Sequence, residues 1–408
     1  MEALVARQAI FDRRRNVYGY ELLFRSNAGS DAFDGTEAAA ATMQVLSNTL
    51  MSVGAETLLG GKKAFVNFDH RLLAENMHLT LPRGSLVIEV LETVVPTADL
   101  VALCQGIRRQ GYSLALDDFT DQPEFAPLAR IASVIKVDMR SSSLEEQKRM
   151  LHIYKPRGVL MLAEKVESYT EFEWALGAGY DLFQGYFFAR PVIVRSQEIP
   201  TVITVCLRLL REVRRADLDF RSLGRLIRED VSLTYKLLRY ANSALFQRGA
   251  IRSIDNALTA LGEDNIRRWA TLATLPKLAT NKPGELVKLA LVRARFCERL
   301  AEQSHNENSN EAFLVGMFSL LGALIDQPLE EALRGVDLGR DITEALLGNG
   351  PAEDFLTRVY RLTRCYEAGD WEAVERFSQR CGTSTAAIGE AYLDATAWAQ
   401  RLVNTLGA

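Results

Sequence analysis

Histidine is scarce in this sequence: His70, His78, His152 and His305 are the only four in 408 residues. No two of them lie within a helical turn of each other. Histidine-built metal chemistry is thereby set aside, and any metal has to be held by oxygen. The five cysteines are odd in number and form no CxxC pair. Neither a disulfide framework nor a zinc ribbon is indicated, and a reducing cytoplasm is the expected compartment. No run of about 18 apolar residues occurs, so no membrane-spanning helix is expected. The opening residues Met1–Arg7 lack the basic end and apolar core of a signal peptide. No charge excess marks a nucleic-acid partner either, since the formal net charge is −4. What is present is ordinary globular material, 48% apolar and 25% charged, in a chain long enough for two domains.

The first 190 or so residues alternate short apolar runs with amphipathic stretches. The runs are Ala64–Phe68, Leu86–Leu91, Ser113–Leu116, Val134–Val137, Val159–Ala163 and Asp181–Phe183. Helical patterns lie between them, as in Thr97–Gln110 and Thr170–Gly177, and Thr36–Val53 opens the helical layer. This rhythm predicts parallel strands with crossover helices. Two earlier runs, Val5–Phe11 and Val17–Leu23, are joined by a polar turn and read as a hairpin, which makes one strand antiparallel. The predicted fold is a TIM-like (β/α) barrel. After Pro191 the pattern turns helical, with Val202, Val205, Leu209 and Leu210 on one face, and strand signals nearly vanish. The boundary falls in Gln197–Thr201, giving a barrel over 1–196 and an all-α domain over 197–408. This separation predicts that a chain ending at Pro200 forms a soluble barrel.

A polar residue follows each apolar run at the same phase: Glu21, Asn67, Glu89, Asp117-Asp118, Lys136, Glu164 and Gln184. In a barrel the carboxyl-terminal strand ends converge on one mouth. Singly, each residue has a plain structural reading as a turn residue, helix cap or salt-bridged lysine. Their coincidence in seven strands is what points to chemistry. Crowded carboxylates need cations. Glu21, Asn67, Glu89 and Asp117 can ligate one divalent metal, Asp118 can reach a second, and hard oxygen donors favour Mg²⁺ or Mn²⁺. Such ions clamp a phosphodiester and activate water, which Lys136 can orient. Arg25, four residues after Glu21, can fork onto a phosphate oxygen.

These segments resemble the EAL domain family: Glu21-Leu22-Leu23-Phe24-Arg25, Asn67, Glu89-Val90-Leu91-Glu92, Asp117-Asp118-Phe119, Lys136-Val137-Asp138, Ala163-Glu164-Lys165-Val166-Glu167 and Gln184-Gly185-Tyr186. The resemblance covers about residues 1–192. It implies a barrel that hydrolyses cyclic di-GMP to linear pGpG with Mg²⁺ or Mn²⁺. By position it makes Glu21, Asn67, Glu89, Asp117 and Asp118 metal ligands, with Glu164 in the same shell and Lys136 positioning the attacking water. Gln184 would complete or support that shell, Arg25 would touch phosphate, and Glu92 would brace the loop after Asp118. The chain departs from the family pattern at Leu22, Leu91 and Lys165, and most in the loop. Thr120-Asp121-Gln122-Pro123-Glu124 stands where a Gly-Thr-Gly segment is usual. Those glycines allow backbone angles that other residues resist.

Farther on, Glu229–Leu233, Leu237–Phe246 and Ile251–Gly262 resemble the HDOD domain, an all-helical relative of the HD metal hydrolases. The match runs over about 197–400. The position near Met317–Gly322 carries no His-Asp pair, so the resemblance implies interaction or sensing, with Asn242 read as a cap or turn residue and a partner-binding role as its alternative. Two functions follow. One is a cyclic di-GMP signalling regulator of weak or absent turnover, binding a protein partner through its HDOD domain and leaving a homodimer open. The alternative is an active cyclic di-GMP phosphodiesterase. A barrel hydrolase for another phosphodiester is a third reading.

Overall fold

Each apolar run of the first half becomes a strand. They are β1 (Ala3–Asp12), β2 (Val17–Ser26), β3 (Lys63–Phe68), β4 (Leu86–Val90), β5 (Ser113–Leu116), β6 (Val134–Asp138), β7 (Leu160–Glu164) and β8 (Leu182–Gln184). The structure is a computed structural model. It describes residues 3–26, 58–80, 83–91, 94–190, 201–215, 217–242, 251, 253–279, 282–306, 308–334, 336, 338–381 and 383–406. The stretch Thr36–Val53, Glu92 and the junction 191–200 lie outside them. The strands close into a barrel in sequence order. Only β1 runs against its neighbours, pairing antiparallel with β2 on one side and with β8 on the other.

The barrel's connecting helices are α1 (His70–Ala74), α2 (Ala98–Arg109), α3 (Ala126–Ala129), α4 (Leu144–Tyr154) and α5 (Tyr169–Ala178). Their starts are written in the sequence. Thr97 caps α2 by accepting from the Leu100 amide. Ser143 with Glu146, and Ser168 with Glu171, form reciprocal capping boxes on α4 and α5. Such a cap satisfies amides that the helix cannot, for about 1 kcal/mol.

Among the described residues, the second half forms helices and no strand. It holds α6 (Thr201–Glu212), α7 (Phe220–Arg228), α8 (Val231–Ala241), α9 (Ile254–Leu278), α10 (Gly284–Gln303), α11 (Ser309–Phe318), α12 (Leu321–Ile325), α13 (Leu329–Arg334), α14 (Arg340–Leu347), α15 (Phe355–Glu367), α16 (Trp371–Cys381) and α17 (Thr385–Leu406). Asn242 ends α8: its amide group donates to the carbonyls of Leu238 and Ile251 and accepts from the Ile251 N–H. That is the turn role expected of it. No described helix is long and apolar enough to cross a membrane.

The two halves share one core. Leu4 and Ala6 of β1 belong to the same apolar cluster as Leu286, Leu291, Phe296 and Tyr392, with Leu23, Phe188 and Ala189 packed against it. The Tyr366 hydroxyl donates to the Val5 carbonyl at 3.1 Å and accepts from the Val5 amide at 3.2 Å. Tyr20 donates to Glu285 at 2.8 Å. The expected soluble barrel ending at Pro200 would have to do without this cover. Ending the chain at Pro200 would expose Leu4, Ala6 and the Val5 backbone, at about 1.5–3 kcal/mol for each large apolar side chain returned to water.

Candidate functional site

Strand periodicity builds the site. Phe65, Val87, Ala115, Val134, Leu162 and Leu182 form an apolar layer inside the barrel, completed by Ile10. Side chains two residues apart share a face. One step toward the carboxyl-terminal mouth, the same inward positions are therefore Asn67, Glu89, Asp117, Lys136, Glu164 and Gln184. Glu21 joins them from β2: the Gln184 side-chain amide donates to its carboxylate. Because β1 runs the other way, its mouth residue precedes Ile10, and it is Gln8. Its side-chain oxygen accepts from the same Gln184 amide at 2.7 Å.

Lys136 is the centre. Its Nζ lies 2.7 Å from Asp117, 2.8 Å from Glu89, 3.0 Å from Glu164 and 3.7 Å from Glu21, with its side chain 1% exposed. Four carboxylates thus face one ammonium. Burial pulls the Lys136 ammonium down, but Glu21, Glu89, Glu164 and Asp117 together outweigh it and hold its pKa well above the usual value. Burial is the largest cause at Glu89 and Glu164 as well. It lifts Glu89 well above the carboxylate range and pushes Glu164 up to about 8, against the pull of Lys136.

Among the described residues, no three acidic, histidine or cysteine side chains stand as a ready-made metal cage. The space between the carboxylates is taken by the Lys136 ammonium. The donor set nevertheless fits a hard divalent cation. Asn67 Oδ1, Glu89 Oε2, Glu164 Oε2 and Gln184 Oε1 are buried oxygens without a hydrogen-bond partner. Such atoms cost about 1–3 kcal/mol each unless something binds them. One lysine also leaves four carboxylates short of positive charge.

Beside this cluster is a second one. Lys165 Nζ lies 2.6 Å from Asp138 and 3.7 Å from Asp118. Burial raises Asp138, yet the hydrogen bond and charge of Lys165 together with the Arg140 and Ser141 amides outweigh it, and its pKa falls. Both Asp118 (φ 39°) and Lys165 (φ 54°) occupy left-handed backbone, where a side chain is strained. Gly185 follows Gln184 at φ 142°, and a Cβ there would collide with the Val166 carbonyl. The loop after Asp118 is tied to α4. Asp121 accepts from the Tyr154 hydroxyl at 2.5 Å and pairs with Arg149 at 3.4 Å, while Phe119 packs edge-on against Tyr154.

Eight of the expected residues therefore meet at one mouth: Glu21, Asn67, Glu89, Asp117, Asp118, Lys136, Glu164 and Gln184. Arg25 is the next-to-last residue of β2, with its side chain outside the described residues, where Glu92 lies entirely. Sequence reading missed Gln8, and it missed the pairing of Asp138 with Lys165. Asp138 did carry a signal: it stands two residues after Lys136, in the inward phase.

The EAL domain family matches residues 5–191 and the HDOD domain family residues 199–332. The chain is 34% identical to the Vibrio cholerae protein named cyclic di-GMP phosphodiesterase CdgJ, over 97% of this chain and 92% of that one. It is 31% identical to the uncharacterized protein YuxH of Bacillus subtilis, over 99% of this chain and 100% of that one. Among solved structures, a standalone EAL protein of Vibrio cholerae in its c-di-GMP bound form is 23% identical. That match covers 46% of this chain and 91% of that one, with a TM-score of 0.35.

Proposed function

The chain belongs to the family that joins an EAL domain to an HDOD domain, and from that premise we propose that its barrel binds cyclic di-GMP and opens it slowly to linear pGpG with Mg²⁺ or Mn²⁺. The observation that carries this reading is the mouth itself: four carboxylates around a buried lysine, with partnerless oxygens aimed among them. Glu21, Asn67, Glu89 and Asp117 would hold the cation, with Asp118 toward a second. When bound, a divalent cation supplies charge for the phosphate oxygens and acidifies water. Lys136 would direct an N–H at the attacking water, and Glu164, 3.0 Å from that ammonium, would take the water's proton. The water oxygen bonds to phosphorus, the bond to the 3′ oxygen breaks, and that oxygen ends protonated. The helical unit serves interaction with a protein partner in this reading. At the position where a hydrolase would carry its metal residues, Ser319 instead accepts a hydrogen bond from Arg293.

The expected result with Mn²⁺ is slow formation of pGpG, followed by chromatography, that drops at least about a hundredfold in Glu21→Ala. Turnover indifferent to that change sinks the assignment. A second reading, binding without turnover, is favoured by the loop that Tyr154 and Arg149 hold in place. Calorimetric binding with no pGpG would establish it, and neither binding nor product would remove both.

Lys165 gives a sharper test. Its ammonium lies where charge near Asp118 and Asp138 is needed, on backbone that suits glycine. Lys165→Gly is expected to tighten Mn²⁺ activation by about tenfold or more. Activation curves that superimpose on those of the parent protein would show that Lys165 stands in for no cation.

A further inference from the structure

Away from the barrel mouth, a cavity of about 570 Å³ opens between the turn joining β1 to β2 and the start of α10. Its walls carry five cations: Arg14, Arg15, Lys62, Lys282 and Lys288. Against them stands one carboxylate, Glu285, which already accepts from the Tyr20 hydroxyl at 2.8 Å. Lys282 is engaged by Asp326. The others have no carboxylate within ion-pair distance among the described residues. Arg15 instead donates to the Tyr169 hydroxyl at 3.2 Å.

Lys288 is the decisive member. It is only 6% exposed, and its Nζ reaches the Tyr20 hydroxyl at 3.2 Å. A buried ammonium with no carboxylate within ion-pair distance is costly to keep charged. Burial first, then Arg7 and Lys62, push its pKa down to about 8 against the pull of Glu285. The amino-terminal end of α10 adds to the demand. Pro283 and Gly284 line the same cavity, and no side chain caps this 20-residue helix. Its first amides and dipole favour an anion. Arginine forks match phosphate oxygens in pairs, and the volume suits a nucleoside phosphate.

We propose that this cavity between barrel and helical domain is a binding site for a phosphate-bearing anion of nucleoside-phosphate size. Arg14, Lys62 and Lys288 meet the phosphates, and the start of α10 supplies amides. The site uses none of the residues at the barrel mouth and needs no metal.

Titrating the full chain with ATP in EDTA, by calorimetry and by thermal unfolding, tests it. The expected result is binding that raises Tm, with adenosine inert. Lys288→Met and Lys62→Glu should each weaken ATP by at least about tenfold, because each removes a charge-assisted contact. Lys62 is on the surface, so its variant folds whatever Lys288→Met does. Absence of ATP binding overturns the proposal. So does equal binding of adenosine, or an affinity that neither variant alters.

Discussion

Lys136→Met is expected to cost the metal-free protein about 3–5 kcal/mol of stability, because it strips the cation from a buried cluster and leaves the anions behind. Methionine fills nearly the same volume, so packing is kept and charge alone is lost. Glu89, Asp117 and Glu164 all sit within 3.0 Å of the Nζ that disappears. The pH dependence has a definite sign. Glu164 is raised from 4.5 to about 8 in the folded chain. Its contribution is fully present below the unfolded value and is lost as pH rises through the folded one. The metal-free parent therefore loses stability between about pH 4.5 and pH 8. The variant loses more and over a wider range, since nothing opposes the upward shifts. Mn²⁺ should restore part of the loss by standing where the ammonium stood. Urea unfolding in EDTA and in Mn²⁺ across this range measures it. A variant as stable as the parent in EDTA at the alkaline end would show that the cluster does not depend on Lys136.

The second large effect belongs to Arg293. Its guanidinium is 1% exposed and contacts Glu367 at 2.6, 2.8 and 3.1 Å, while Nη1 donates to Ser319 at 3.0 Å. Burial pulls the guanidinium pKa down, but Glu367 overcomes it and raises it. The pair ties α10 to α15 and to the turn after α11. Packing there is so close that a Cβ on Gly316 would collide with the Arg293 carbonyl. Arg293→Met strands the Glu367 carboxylate and should cost about 3–5 kcal/mol, whereas Arg293→Met with Glu367→Met should cost much less. Denaturant midpoints for the two singles and the double close the cycle. Singles that each lose under about 1 kcal/mol would mean that water reaches the pair after either change.

Much of the barrel was legible for a simple reason. A buried parallel strand writes itself as a short apolar run, and its mouth-facing residue comes directly after. That rule delivers Glu89 after Val87-Ile88 and Glu164 after Leu162-Ala163. It fails at β1, whose direction is reversed, and so Gln8 went unread. Helix limits were legible where caps are chemical, as with Thr97 before α2. The helical half yielded its periodicity and Asn242, but not its docking. Tyr20 and Glu285 are separated by 265 positions, and nothing local marks either as a partner. A buried arginine such as Arg293 reads along the chain like any exposed one.

The bond between Tyr366 and Val5 spans 361 positions. Ribosomal synthesis delivers β1 first, its closing partner β8 some 180 residues later, and its covering helices α15 and α17 last. Until then the unpaired edge and apolar side chains of the first strand stay open to other chains. Contacts this distant in sequence also slow the search for the native state. Assembly of this protein is thus tied to completion of its carboxyl-terminal helices, and truncated translation products are the species most exposed to aggregation.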